Sequence, residues 1–274
     1  MMPSEPTLQH DGYAVVRGVL PAEEIEALRV RAHDLLDTKG IDKAGGTVLP
    51  NAAVEGPSLA PTFSHPAIIE AVRSTTSLDR MLFTMEADVH RNYLASQWHK
   101  DTGEHLLGGG YFDTDWLDRD DCAVYKVALY LQDHPHRGAL AVRPGSTRTR
   151  RVDSGSVEHL RVSAGDAVIF DVRLSHRGVA PSLPDKVILA AARISGAANA
   201  DRRAARWRRN LFRLTGRPER LAIYFAFGAP NERSETFARR NLGRQLEQLG
   251  KAAEPLAPSL VEAFGAFDIG TVCL

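Results

Sequence analysis

Gly165-Asp166-Ala167-Val168-Ile169-Phe170-Asp171-Val172-Arg173-Leu174-Ser175-His176-Arg177-Gly178 reads as a tight turn, an apolar strand and a histidine near the strand's far end. Gly-Asp breaks the chain into a turn, and the β-branched and aromatic residues after it favour an extended, buried segment. Residues 159–162 form another short strand just before the turn. Strand, turn, strand at such close spacing is the mark of an antiparallel sandwich or barrel. Working outward, residues 138–142 make a strand closed by the turn Arg143-Pro144-Gly145-Ser146. Residues 123–131 are the clearest strand of the chain, and residues 220–228 form a last, aromatic-rich one. Residues 13–16 are a first short strand, and residues 81–89 and 91–99 read as two strands in succession. The fold class is mainly β with flanking helices.

The helices announce themselves by period. Pro21 opens one, with Glu23, Glu24 and Glu26 in its first turns, where the helix dipole favours acids. Its apolar face is Ile25, Leu28, Ala32, Leu35 and Leu36, and Gly40 ends it. Residues 66–77 form a second helix, and residues 231–249 a helical tail stopped by Gly250. Residues 40–63, rich in Gly, Pro and Ala, read as loop. Residues 102–121 carry three consecutive glycines, aromatics and many aspartates, the texture of a lid-like loop. Residues 181–217, with an apolar run and then an arginine-dense helix, read as a helical insertion between strands. No internal repeat appears, so residues 1–274 are read as a single domain.

Apolar residues make up 43% and charged residues 25%, with a formal net charge of zero. That balance supplies no field that would draw nucleic acid or an anionic membrane. The basic helix alone, without an overall positive charge, is no argument for nucleic acid. No apolar run approaches the roughly 20 residues of a membrane span. The first residues lack a basic segment followed by an apolar one, and Cys122 and Cys273 make no disulfide framework. A cytoplasmic setting and a small-molecule substrate are expected; the oligomeric state is left open.

The chemistry lies in Gln97-Trp98-His99-Lys100-Asp101. In an extended chain residues i and i+2 point to one side, so His99 and Asp101 can aim at one point. A third ligand would complete the two-histidine, one-carboxylate triad that holds ferrous iron on one face and leaves positions open. Most of the ten histidines are bland: His10, His33, His65 and His90 are read as lying outside the sheet core or on helices. His134 and His136 flank Pro135 in a turn where exposed histidines are common, and His105 is in the glycine-rich loop. His176 differs, since it follows an apolar strand and has Gly178 beside it to leave space. Lys126, amid apolar residues of the best strand, either snorkels to water or meets an anion.

Three segments together resemble the phytanoyl-CoA dioxygenase family: Gln97-x-His99-x-Asp101, then Gly138-Ala-Leu-x-x-x-Pro144-Gly145-Ser146, then Gly165-Asp166 through His176-x-Gly178. The strand at Asp11-Gly12-Tyr13 and the helix after it add to the likeness, which spans about residues 8–230. The resemblance implies a double-stranded β-helix (jelly-roll, cupin-like) core and an oxygenase using Fe(II), 2-oxoglutarate and O2. It implies His99, Asp101 and His176 as iron ligands and an arginine after the distal histidine to pair with the far carboxylate of 2-oxoglutarate. Here the sequence departs from the pattern: Arg220 opens the strand of the right texture, while Lys186 and Arg193 stand nearer in sequence. Lys126 and Gln97 could also face the cosubstrate. Related halogenases replace the carboxylate ligand with a small residue, so Asp101 points to hydroxylation or another oxidation of a C–H bond, on a bacterial secondary metabolite. A catalytically inert cupin-like binding protein and a zinc hydrolase are the other readings.

Overall fold

The computed structural model describes residues 6–94, 97–134 and 139–272; Gly138, which opens one expected strand, Pro135, His136 and Cys273 lie outside the described residues. In chain order the elements are α1 (Leu8–Asp11), β1 (Tyr13–Val16), α2 (Ala22–Thr38), β2 (Ile41–Lys43), β3 (Gly46–Leu49), the single turns α3 (Ala52–Glu55) and α4 (Ala60–Phe63), and α5 (Pro66–Thr76). There follow β4 (Met81–Arg91), β5 (Val124–Tyr130), β6 (Ala141–Val142), β7 (Glu158–His159), β8 (Ala167–Asp171) and β9 (His176–Arg177). The chain ends with α6 (Leu183–Ile194), α7 (Ala200–Thr215), β10 (Leu221–Gly228), α8 (Glu232–Leu249), α9 (Pro258–Gly265) and β11 (Ile269–Thr271).

The large sheet runs β1-β8-β5-β10-β4-β3-β2, with β11 joined in parallel to the first residues of β4 and every other pairing antiparallel. A small sheet, β7-β6-β9, packs over one of its faces. Alternation divides the residues of the central strands between two environments. Val127 and Leu129 of β5, Ala167 and Ile169 of β8, and Ile223, Phe225 and Phe227 of β10 join the main core against the helices. The alternate residues Ala128, Tyr130, Val168, Phe170 and Ala222 face the small sheet and pack on Leu140, Val142 and Leu160. The helix α2 buries Ile25, Leu28, Ala32, Leu35 and Leu36, the face its period predicts.

Two sequence expectations fail for local reasons. Among the described residues of 91–99 there is no second strand: β4 ends at Arg91, and Asn92 turns the chain out with φ 56°. Asparagine tolerates that left-handed conformation better than other residues with a side chain. Residues 40–63 are more ordered than a loop, because β2 and β3 form a hairpin there. Its two turn residues, Ala44 and Gly45, have φ of 46° and 72°, the sign a primed hairpin turn needs. Alanine at the first of those positions hides the signal that Asn or Asp would have given.

Residues 102–121 contain no regular element, yet they are anchored. Tyr111, Phe112 and Trp116 are buried with Cys122, Val124, Val172 and Phe237 in a satellite core beside the sheet. Residues 181–217 form the helical hairpin α6–α7, started by a capping box in which Ser182 and Asp185 exchange side-chain and backbone hydrogen bonds. Asp185 also takes Nε of Arg208 on α7 at 2.8 Å, with both side chains buried.

Candidate active site

The segment that carries His99 and Asp101 is extended without being a full strand. His99 forms one antiparallel bridge with His176, their backbones exchanging bonds of 3.0 and 2.9 Å. Two residues on, the Asp101 amide donates to the Val172 carbonyl at 2.8 Å. These bonds preserve the alternation that the sequence implies. The guanidinium groups of Arg143 and Arg177 lie over the Trp98 ring, 4.3 and 4.8 Å from its centroid. Lys100, pointing as Trp98 does, donates to the carbonyls of Ser146 at 2.7 Å and Arg173 at 2.5 Å. His99 and Asp101 are left to face the cavity.

There they meet His176. One ligand atom from each of His99, Asp101 and His176 lies within 4.8 Å of the other two. Nε2 of His99 is 3.5 Å from Oδ1 of Asp101, and Nε2 of His176 is 3.4 Å from Oδ2. Each imidazole is oriented by its other nitrogen. Nδ1 of His99 bonds the Gln97 carbonyl at 2.9 Å, and Nδ1 of His176 bonds the Leu174 carbonyl at 3.0 Å. A carbonyl oxygen can only accept, so both Nδ1 atoms carry the proton and both Nε2 lone pairs turn toward Asp101. Burial pushes the His176 imidazolium down to about 3, which keeps the ring neutral at ordinary pH. Two imidazoles and one carboxylate suit a divalent first-row metal such as iron.

Asp101 has a firm counter-charge. Burial alone would raise its pKa, but the Lys126 ammonium holds it well below the usual carboxylate range. Lys126 Nζ lies 2.6 Å from Oδ2 of Asp101 and 2.5 Å from Oε1 of Glu86. Of the two fates open to this lysine, snorkelling or meeting an anion, the fold selects the second. Burial opposes its charge, yet the two carboxylates together push its pKa up.

The cavity in front of these groups has a volume of about 1090 Å³. Arg220, just before β10, lines it, held by its backbone amide on Asn92 Oδ1 at 2.9 Å and by Nη1 on the Tyr93 carbonyl at 3.1 Å. Gln97 also lines it, exposed, and its carbonyl rather than its side chain orients His99. Lys186 and Arg193 are exposed on α6 and do not line the cavity. Among the histidines, His105 is exposed at the cavity wall. Two others correct the sequence reading. His90 lies on β4 facing the cavity, and burial lowers its pKa to about 3. His134 is buried, bridged to Val162 and bonded to Gln132, and burial lowers its pKa to about 4.

Sequence reasoning missed the row Glu86, Asp88 and His90, although polar residues at i, i+2 and i+4 of an apolar strand are a legible signal. A bulge interrupts the pairing beside Glu86. Between the pairs Phe225↔Ala87 and Phe227↔Phe83, β10 supplies Ala226 alone while β4 supplies Thr84, Met85 and Glu86, with φ of 63° at Met85.

An open double-sheet fold with a His-x-Asp segment bridged to a distal histidine at a cavity mouth defines a jelly-roll protein of the non-haem metal class. The chain belongs to the phytanoyl-CoA dioxygenase (PhyH) family, whose family model matches residues 8–180. Similar solved structures include the non-haem α-ketoglutarate-dependent carbocyclase SnoK of nogalamycin biosynthesis, at 16% identity and TM-score 0.57, covering 92% of each chain. The epimerase SnoN of the same biosynthesis matches at 14% identity and TM-score 0.56, covering 81% of this chain and 80% of that one. HygX from Streptomyces hygroscopicus, solved with nickel, 2-oxoglutarate and hygromycin B, matches at 17% identity and TM-score 0.54, covering 81% of this chain and 85% of that one. The comparison with curated proteins finds no match. Among the described residues no helix is long and apolar enough to cross a membrane.

Proposed function

We propose that the protein is an Fe(II)- and 2-oxoglutarate-dependent oxygenase that oxidises an unactivated C–H bond of a small secondary metabolite. The observation that carries this reading is the meeting of His99, Asp101 and His176, with both imidazole tautomers fixed by carbonyls. When bound, iron and 2-oxoglutarate would supply the oxidising power, the balance being C–H plus 2-oxoglutarate and O2 to C–OH plus succinate and CO2. The protein's part is placement. His99 and His176 present Nε2, and Asp101 presents a carboxylate whose second oxygen Lys126 engages. The Arg220 guanidinium, at the cavity wall, suits a bidentate bond to the far carboxylate of 2-oxoglutarate. Asp101 favours hydroxylation or a related oxidation over halogenation, and the family's activity supports an enzyme rather than an inert binding protein.

Anaerobic addition of Fe(II) and 2-oxoglutarate is expected to give a weak visible charge-transfer band, lost in His176→Ala. Absence of the band in the unaltered protein would sink the reading. For the cosubstrate, Arg220→Ala should weaken 2-oxoglutarate binding by about tenfold or more while Lys186→Ala leaves it unchanged. The reverse pattern would move the anchor to α6.

A further inference from the structure

The cavity has a second wall, contributed by β4 and α8, that metal and cosubstrate binding do not use. From β4 come Glu86 and Asp88; from α8 come Asn241, Arg244 and Gln245, spaced to share one helical face. Glu86, Asn241 and Gln245 are 6%, 2% and 1% exposed. Each nevertheless has a polar atom with no hydrogen-bond partner: Oε2 of Glu86, Nδ2 of Asn241 and Oε1 of Gln245, joined by Nε of Arg244. Buried polar groups left unpaired are costly, and natural proteins contain few.

The bonds these residues do make fix which way each amide faces. Arg244 Nη2 donates to Oδ1 of Asn241 at 3.2 Å, which leaves the Asn241 amino group as the open end. Gln245 Nε2 donates to Oδ1 of Asp88 at 3.3 Å, which leaves its carbonyl oxygen. The atoms left unpaired, shielded from solvent as the side chains stand, are acceptors on Glu86 and Gln245 and donors on Asn241 and Arg244. Glu86 and Asp88 stand with the Arg244 guanidinium and with the Lys126 ammonium that Asp101 shares, so no positive charge is left over for an anionic ligand. An alkyl chain or plain aromatic ring would leave all four groups unpaired. Hydroxyl groups, each both donor and acceptor, pair with either kind.

We infer that this wall is a recognition subsite for a hydroxyl-bearing saturated ring, a sugar or cyclitol portion of the substrate. The ring sits beside the metal site because Lys126 bridges Glu86 and Asp101. The inference rests on the oxygenase reading for the site it adjoins, and it is tested apart from turnover.

The test is saturation-transfer NMR on the full chain loaded with Zn(II) and 2-oxoglutarate, with methyl glucoside and myo-inositol as probes. The comparison probe is 2-methoxytetrahydropyran, a similar ring without the hydroxyls. At millimolar concentration the hydroxylated probes are expected to bind and the bare ring not to bind. Binding by methyl glucoside alone identifies a glycosyl portion, and by myo-inositol alone a cyclitol. Asn241→Leu and Gln245→Met, each checked for folding by circular dichroism, should weaken probe binding about tenfold, the loss of roughly one hydrogen bond. The inference falls if the bare ring binds as well as methyl glucoside, if neither hydroxylated probe binds the unaltered protein, or if folded variants bind unchanged. Failure of 2-oxoglutarate to bind the unaltered protein would instead count against the oxygenase reading.

Discussion

Lys126 decides how the carboxylate of the candidate triad is held. Its ammonium contacts Asp101 and Glu86 together and is itself buried. Removing one partner of a buried ion pair strands the other, at about 3–5 kcal/mol. Lys126→Met should therefore lower stability by that order, measured by urea unfolding. It should also weaken metal binding about 10- to 100-fold, because Asp101 loses the group that orients it. Adding Glu86→Leu should restore part of the stability but not the metal affinity. Recovery of both would show that Lys126 only balances charge. The histidine and aspartate of the triad were legible from spacing, since alternation survives in any extended segment. The neighbours of Lys126 were not, because which residue lies across a sheet depends on strand order, here β5-β10-β4.

The elements around the site differ in how openly the sequence declares them. Helix α2 shows its buried face in its period, and α8 declares its limits in Asn231, which caps Ser234, and in Gly250 at φ 63°. The end of β4 is hidden, because it depends on Asn92 taking a left-handed conformation that the sequence permits without requiring. That same turn is tied to the α6–α7 hairpin. Arg208 on α7 donates Nη1 to the Asn92 carbonyl at 2.5 Å and also to the Gly45 carbonyl, while its Nε engages Asp185. Asn92 in turn holds the backbone of Arg220. Arg208→Met should cost about 3–5 kcal/mol, since the Asp185 carboxylate would be left buried and short of a partner. Its effect should reach Arg220 as weaker 2-oxoglutarate binding, read by the charge-transfer band. Arg206→Ala, on an exposed position of the same helix, should change neither quantity. Equal effects from the two substitutions would mean that the hairpin acts only through general stability.

At the scale of the whole molecule, the cavity concentrates buried titratable groups, and its protons govern how metal-free protein responds to acid. Burial lowers His90 and His176 to about 3 and His134 to about 4, against about 6.5 in an unfolded chain. Between about pH 6 and pH 4 the unfolded chain therefore binds protons on these rings that the folded protein refuses, and acidification destabilises the fold. Asp88 works the other way, because burial and then the nearby Glu86 charge raise it to about 6. Burial also raises Glu86, despite the Lys126 ammonium that opposes it. In the same window the folded protein takes up a proton on Asp88, and acidification there stabilises it. Three imidazoles act against the single Asp88 carboxylate, so stability should fall as the pH is lowered across the window. Urea unfolding of the metal-free protein at several pH values measures that slope. Asp88→Asn removes the compensating carboxylate and should steepen the fall, while His134→Gln removes one of the opposing imidazoles and should flatten it. A wild-type stability that instead rises on acidification would mean that the carboxylate wall, rather than the histidines, controls the protonation of the cavity.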